Sequence, residues 1–191
     1  MKASDSFFLL VLLVWLSFPA FAQQEAGNIL LSASNGEIRI KSDAPLELIE
    51  ASSRQLKGVI DITGRSFSFS VNTRSIQGFN SPLQQEHFYE NYMETSKYPV
   101  STFKGKIIEQ VDLSVDGNYQ LRAKGLLNVH GVEQERIIKA DVKVKGEIIT
   151  VTSSFTVPLT DHNITIPKIV YQKIAEEILV TVTANFTRVK K

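Results

Sequence analysis

Alternation of apolar and polar residues, sustained over segment after segment, is the feature that most constrains what this chain can become. Ile38 and Ile40 alternate with Glu37, Arg39 and Lys41, and Phe67, Phe69 and Val71 with Ser66, Ser68, Ser70 and Asn72. Tyr119, Leu121, Ala123, Gly125, Leu127 and Val129 alternate with Gln120, Arg122, Lys124 and Asn128, with Leu126 as the one exception. Ile138, Ala140, Val142 and Val144 do the same, as do Ile149, Val151, Ser153, Phe155 and Val157, and finally Ile178, Val180, Val182, Ala184 and Phe186. A period of two puts successive side chains on opposite faces of a strand, so each run is a strand with one apolar face. Turn residues at Asn35-Gly36, Asp116-Gly117 and Gly146 separate the runs and predict hairpins, hence antiparallel pairing. Such strands make an all-β protein, either a barrel or a two-sheet sandwich.

One segment departs from that period. Ser81-Pro82-Leu83-Gln84 carries a helix start: an N-cap serine, proline at the first helical position and glutamine at the third. The spacing predicts one short helix near residues 82–93, with Phe88, Tyr89, Tyr92 and Met93 on one side, ending before Tyr98-Pro99.

Residues 1–22 predict a cleaved secretory signal peptide. Lys2 is the positive start, Phe7 to Phe18 is apolar apart from Ser17, and Ala20-Phe21-Ala22 fits a small-x-small cleavage site. Pro19 ends the run short of the roughly 20 apolar residues that span a bilayer. The expectation is a domain over residues 23–191, exported and most simply periplasmic, with no stable membrane insertion after cleavage. The chain has no cysteine, so disulfides, thiolate metal sites, a cysteine nucleophile and a lipoprotein anchor are all excluded. A net charge of +1 gives no bulk attraction to nucleic acid.

Chemistry is sparse. No phosphate-binding glycine loop, zinc-protease motif, nucleophile elbow or calcium loop is present. His87, His130 and His162 lie in different elements and not at metal-pair spacing. His130 is expected on an outward face at a strand end. Asp161-His162 suggests part of a dyad without any identifiable nucleophile. The expectation is therefore no enzyme, no catalytic residue, no metal and no cofactor. If the sheet closes, the inward set mixes bulky Phe67, Phe69, Phe103, Tyr119, Phe155 and Phe186 with small Ala123 and Gly125. About eight strands leave room either for packed side chains or for one small ligand.

From Gln84 to Val132 the chain carries an ordered series of short motifs. These are Gln85-Glu86-His87-Phe88, Tyr98-Pro99, Ser101-Thr102-Phe103-Lys104-Gly105, Gly125-Leu126-Leu127 and Val129-His130-Gly131-Val132. In order and spacing the series resembles the YceI-like family of exported, lipocalin-like barrels. The resemblance implies an extended antiparallel barrel that encloses a long isoprenoid-type amphiphile, a polyprenyl phosphate or a quinone, without catalysis. On that basis the eight inward residues would hold the tail, Phe88 and Tyr92 would close the mouth, and His87 or Lys168 would meet the head group. The sequence departs from many members in lacking the Arg and adjacent Asp of an R-D-x-H segment before the helix, where it has Leu83-Gln84-Gln85-Glu86-His87. The alternative is a filled barrel acting as an envelope interaction module. Either could be a monomer or a homodimer.

Overall fold

Residues 29–189 are described by a computed structural model, and the leader expected over residues 1–22 lies outside them. Eight strands follow in chain order: β1 (Leu30–Ala44), β2 (Glu47–Asp61), β3 (Ser66–Asn72), β4 (Val100–Ile107), β5 (Gly117–Val129), β6 (Val132–Lys145), β7 (Ile148–Pro158) and β8 (Glu177–Arg188). Each pairs antiparallel with the next, and β1 also pairs with β8, through Ile38–Val182 and Ile40–Val180 among others. The sheet therefore closes into a barrel and leaves no edge.

The alternating faces turn inward as their polarity requires. Leu121, Leu127, Ile138, Val142, Ile149, Val151, Val180, Ala184 and Phe186 are buried, while Arg122, Lys124, Lys139 and Lys143 are exposed. Leu126 keeps the parity of its strand and lies on the outer face.

Two local expectations are corrected. Asn35-Gly36 does not turn the chain but sits inside β1 at a register shift. A β-carbon on Gly36 would meet that of Ala184 at 2.9 Å, so the residue makes room for the neighbouring strand. Two-residue hairpin turns lie at Pro45-Leu46 and His130-Gly131, and at Gly146-Glu147 as expected for Gly146. Asp116-Gly117 ends a longer connection, where Asp116 Oδ1 accepts a hydrogen bond from the Gly146 amide at 2.9 Å.

Strand β2 was not among the alternating runs. Its inward residues are Ile49, Ala51 and Ser53, then Leu56, Gly58 and Ile60, with two exposed residues, Arg54 and Gln55, between the sets. The inserted residue flips the parity, as a bulge does. Ser53, though buried, is satisfied by Ser75 Oγ at 2.7 Å.

One end of the barrel is packed shut by Leu31, Ile60, Phe67, Leu113, Leu121, Val144 and Phe186. Phe186 is fully buried and meets Phe69 edge-on at 5.7 Å. At the other end the strands deliver two long connections, residues 73–99 and 159–176, which form a roof.

Candidate functional site

The roof begins where the cap residues place it. Ser81 Oγ accepts from the Gln84 amide at 3.1 Å, and Pro82 opens the helix α1 (Pro82–His87). Gln84 Oε1 in turn accepts from the Asn80 amide at 3.0 Å. From Phe88 to Tyr92 the backbone widens into a π-helical turn, closed by the Met93 amide on the Phe88 carbonyl at 2.9 Å. Such turns concentrate at functional sites. This one brings Phe88 and Tyr92 into the lining of the space beneath, and Phe88 packs against Phe79 with ring centroids 4.7 Å apart. Burial raises the Tyr92 phenol above its ordinary value.

Under that roof lies a cavity of about 250 Å³. Its wall includes Ile38, Ile40, Phe69, Phe103, Ala123, Phe155, Ile178 and Val182, inward side chains that nevertheless stay partly exposed because they face open space. Gln84, Ser42, Ser70, Ser101, Thr102 and Ser153 are polar exceptions; among the described residues no charged side chain and no histidine lines it. A second void of about 50 Å³ lies deeper, between Phe67, Phe69, Ala123 and Leu113.

Of the residues expected at the ligand, Phe69, Phe103, Ala123 and Phe155 line the main cavity, with Phe88 and Tyr92 above them. Phe67 borders only the deeper void, packed on Phe103 at 4.9 Å. Phe186 belongs to the closed end. Tyr119 packs near that end too, its hydroxyl donating to the Val115 carbonyl at 2.9 Å. Gly125 lies where β5 and β4 touch backbone to backbone: a β-carbon there would come within 2.2 Å of the Lys104 carbonyl oxygen. His87 and Lys168 are exposed and outside the cavity lining. Gln84, Phe79 and Ile174 were missed, because they come from connections whose path no period predicts.

His130 and His162 tie the β5–β6 turn to the roof segments. His130 is not outward: its side chain is 11% exposed. Its Nε2 meets Glu94 Oε2 at 2.6 Å, its Nδ1 lies 3.0 Å from the His162 carbonyl, and its ring abuts Tyr98 edge-on at 4.8 Å. Positive φ angles at His130 (52°) and Gly131 (73°) make the tight turn; a β-carbon on Gly131 would strike the Tyr98 ring at 2.3 Å. His162 is fully buried, with Nδ1 3.0 Å from the Val132 carbonyl and Nε2 without a partner. Burial holds its pKa below the ordinary value. Asp161 turns away to Arg136 Nη1 at 3.2 Å, so the adjacent pair forms no dyad. Among the described residues no cluster of His, Asp or Glu suits a metal, and no helix is long and apolar enough to cross a membrane.

A closed eight-stranded antiparallel barrel with an apolar lumen and a helical roof is the lipocalin-like architecture. The YceI-like domain profile matches residues 31–186, and the chain belongs to that family. It is similar to a polyisoprenoid-binding domain from Saccharophagus degradans implicated in plant cell wall breakdown, with 16% identity, a TM-score of 0.69, and coverage of 85% of this chain and 99% of that one. It is also similar to BcnA of Burkholderia cenocepacia, with 13% identity, a TM-score of 0.65, and coverage of 78% and 95%. For the YCEI protein of Campylobacter jejuni the values are 13%, 0.56, 73% and 84%. At these identities the likeness is one of fold. No curated protein matches the chain.

Proposed function

We propose that this protein is a non-catalytic carrier or store that holds an isoprenoid-type amphiphile in the barrel lumen. The observation that carries this is the apolar cavity beneath the roof, whose inward side chains remain unfilled. Burying hydrocarbon there gains about 0.8 kcal/mol per methylene. The polyisoprenoid-binding domain that shares the fold supports the choice of ligand class.

Two features narrow the ligand. With no cation among the described residues of the lining, a phosphate head inside the barrel would be left unpaired, at a steep desolvation cost. The Ser153 hydroxyl already donates to the Lys139 carbonyl at 2.6 Å and Ser101 Oγ lies 3.4 Å from Thr73 Oγ1, so the lining is almost wholly apolar and suits an uncharged head; a quinone is favoured over a polyprenyl phosphate. Size is the second. An apolar cavity of about 150 Å³ accepts benzene, so this one holds on the order of ten carbon atoms, about two isoprene units. A longer tail enters only when Phe79, Phe88 and Tyr92 move aside.

The same reading makes the protein exported, most simply periplasmic, with residues 1–22 removed; Lys2, the apolar run and Ala20-Phe21-Ala22 support it.

The test is organic extraction of protein purified from its native host, followed by mass spectrometry. A stoichiometric isoprenoid is expected, and Ala123→Phe, which fills the lumen, should abolish it while the protein stays folded. An empty extract, with no quinone taken up on later incubation, would overturn the carrier and leave a filled-barrel interaction module.

A further inference from the structure

The roofed end of the barrel carries an apolar rim that no part of the described chain covers. Leu46 is 66% exposed, Leu48 49%, Leu83 60%, Ile169 90% and Tyr171 62%. They come from three separate connections that hydrogen bonds gather into one face. The Leu46 amide donates to the Gln172 carbonyl at 2.9 Å, which joins the β1–β2 turn to the loop before β8. Asn80 Nδ2 donates to the Leu48 carbonyl at 2.9 Å, and Gln84 Nε2 to Glu47 Oε1 at 3.0 Å, which joins that turn to the start of α1. The Ala175 amide donates to Ser42 Oγ at 2.8 Å and secures the third side. Phe79, Gln84 and Ile174, which line the cavity, stand in these same connections, so the rim and the mouth are continuous.

Charge distinguishes the occupants. From His162 to Ala175 the chain has no acidic residue, and Lys168 and Lys173 flank Ile169 and Tyr171. Of the acids beside the rim, Glu47 is engaged by Asn80 and Gln84, and Asp43, opposite Leu48, by Lys41. Glu50 and Glu86 stay exposed beside Leu48 and Leu83, so the basic character belongs to the segment that carries Ile169 and Tyr171. Apolar and aromatic tips bracketed by lysines match a bilayer interface, where the tips enter the headgroup layer and the lysines reach anionic phosphates. Exposed Glu176 and Glu177 follow where β8 begins.

We propose that this rim docks the protein on the surface of an anionic phospholipid bilayer, mouth toward the membrane, so that a lipid ligand passes between bilayer and lumen without crossing water. The proposal rests on the carrier reading for its purpose, but its test does not. The mature protein is sedimented with vesicles of phosphatidylglycerol and phosphatidylcholine in equal parts. In parallel, uptake of a short-chain benzoquinone from detergent micelles is measured. The wild type is expected to pellet with the vesicles, less so as salt rises. The exposed double variant Ile169→Ser/Tyr171→Ser should lose vesicle affinity by at least about tenfold, since either side chain is worth that much when fully buried. Its micellar uptake should be unchanged. Wild type that takes up quinone but ignores vesicles, or a double variant that still binds them, overturns the docking. So does a wild-type dimer in analytical ultracentrifugation that the double variant dissociates, because the rim would then be covered by a second copy. Vesicle binding lost in the variant without any quinone uptake supports the docking and removes the carrier.

Discussion

His162 is fully buried, and only one of its ring nitrogens is satisfied. The Nδ1 that meets the Val132 carbonyl must carry the proton, which leaves Nε2 as a bare acceptor in the interior. Because the folded pKa lies below the ordinary 6.5, the unfolded chain binds more protons on acidification. The contribution is therefore complete above pH 6.5 and is lost as pH falls through that value, levelling off below the folded pKa. His162→Leu should cost about 1 kcal/mol at neutral pH for the lost hydrogen bond. In denaturant titrations its deficit relative to wild type should then shrink as the buffer is taken from about pH 7 to about pH 5. A deficit that stays constant would mean that the ring does not titrate on unfolding. The second position is Gly105, whose added β-carbon would sit 2.1 Å from the Lys124 carbonyl oxygen and 2.5 Å from Gly125 Cα. Neither obstacle is the end of a flexible side chain. Gly105→Ala should cost at least the upper part of the roughly 1–3 kcal/mol typical of overpacking, seen as a lowered denaturation midpoint. Gly125→Leu would fail for the same reason, so it cannot probe the lumen; Ala123 can. Alternation marked Gly125 as inward, which is correct as to face, but it could not reveal that two glycines from neighbouring strands meet there.

At the scale of elements, the roof controls access. Its N-cap is one hydrogen bond, and Ser81→Ala should remove about 1 kcal/mol of local stability, visible as faster amide exchange in residues 82–93 with little change in the strands. Phe88 and Tyr92 stand between the cavity and the outside. For quinones of increasing tail length, affinity should rise with the first units and flatten near about two isoprene units in the wild type. In Phe88→Ala/Tyr92→Ala the plateau should move to longer tails and dissociation should quicken by about tenfold or more, measured by fluorescence or isothermal titration. A plateau unchanged in the double variant would place the entrance elsewhere. The cap, proline and aromatic spacing made this helix legible in sequence. Its change to a π-helical turn was not, because that depends on Phe88 packing against Phe79 and on where the strands leave the connection.

For the whole molecule, the expected leader carries Trp15, the one tryptophan, while the five tyrosines lie downstream. Processed protein should show a tyrosine-only near-ultraviolet spectrum and an N-terminus at Gln23 by Edman or mass analysis; retained tryptophan absorbance would contradict cleavage. The antiparallel all-β class was legible because most strands have one face on the core and one in water, and a period of two survives almost any error of detail. Strand β2 escaped because a bulge shifts its parity midway and its inward positions include Ala51, Ser53 and Gly58. The motif residues were legible as a pattern but not as a structure. Tyr98, His130 and Gly131 are far apart or unlike in chemistry until the fold brings the β5–β6 turn against the end of the roof, where they form a clasp. Sequence by itself determined which residues of each alternating run share a face, that those strands pair antiparallel, where the helix expected over residues 82–93 starts and that one face of each run is apolar, since each of these follows from local periodicity and local hydrogen bonding. Only the tertiary structure decided that the sheet closes, which end is filled and which is hollow, and which exposed side chains surround the mouth. Those outcomes depend on strand register and on connections distant in sequence meeting at one end of the barrel.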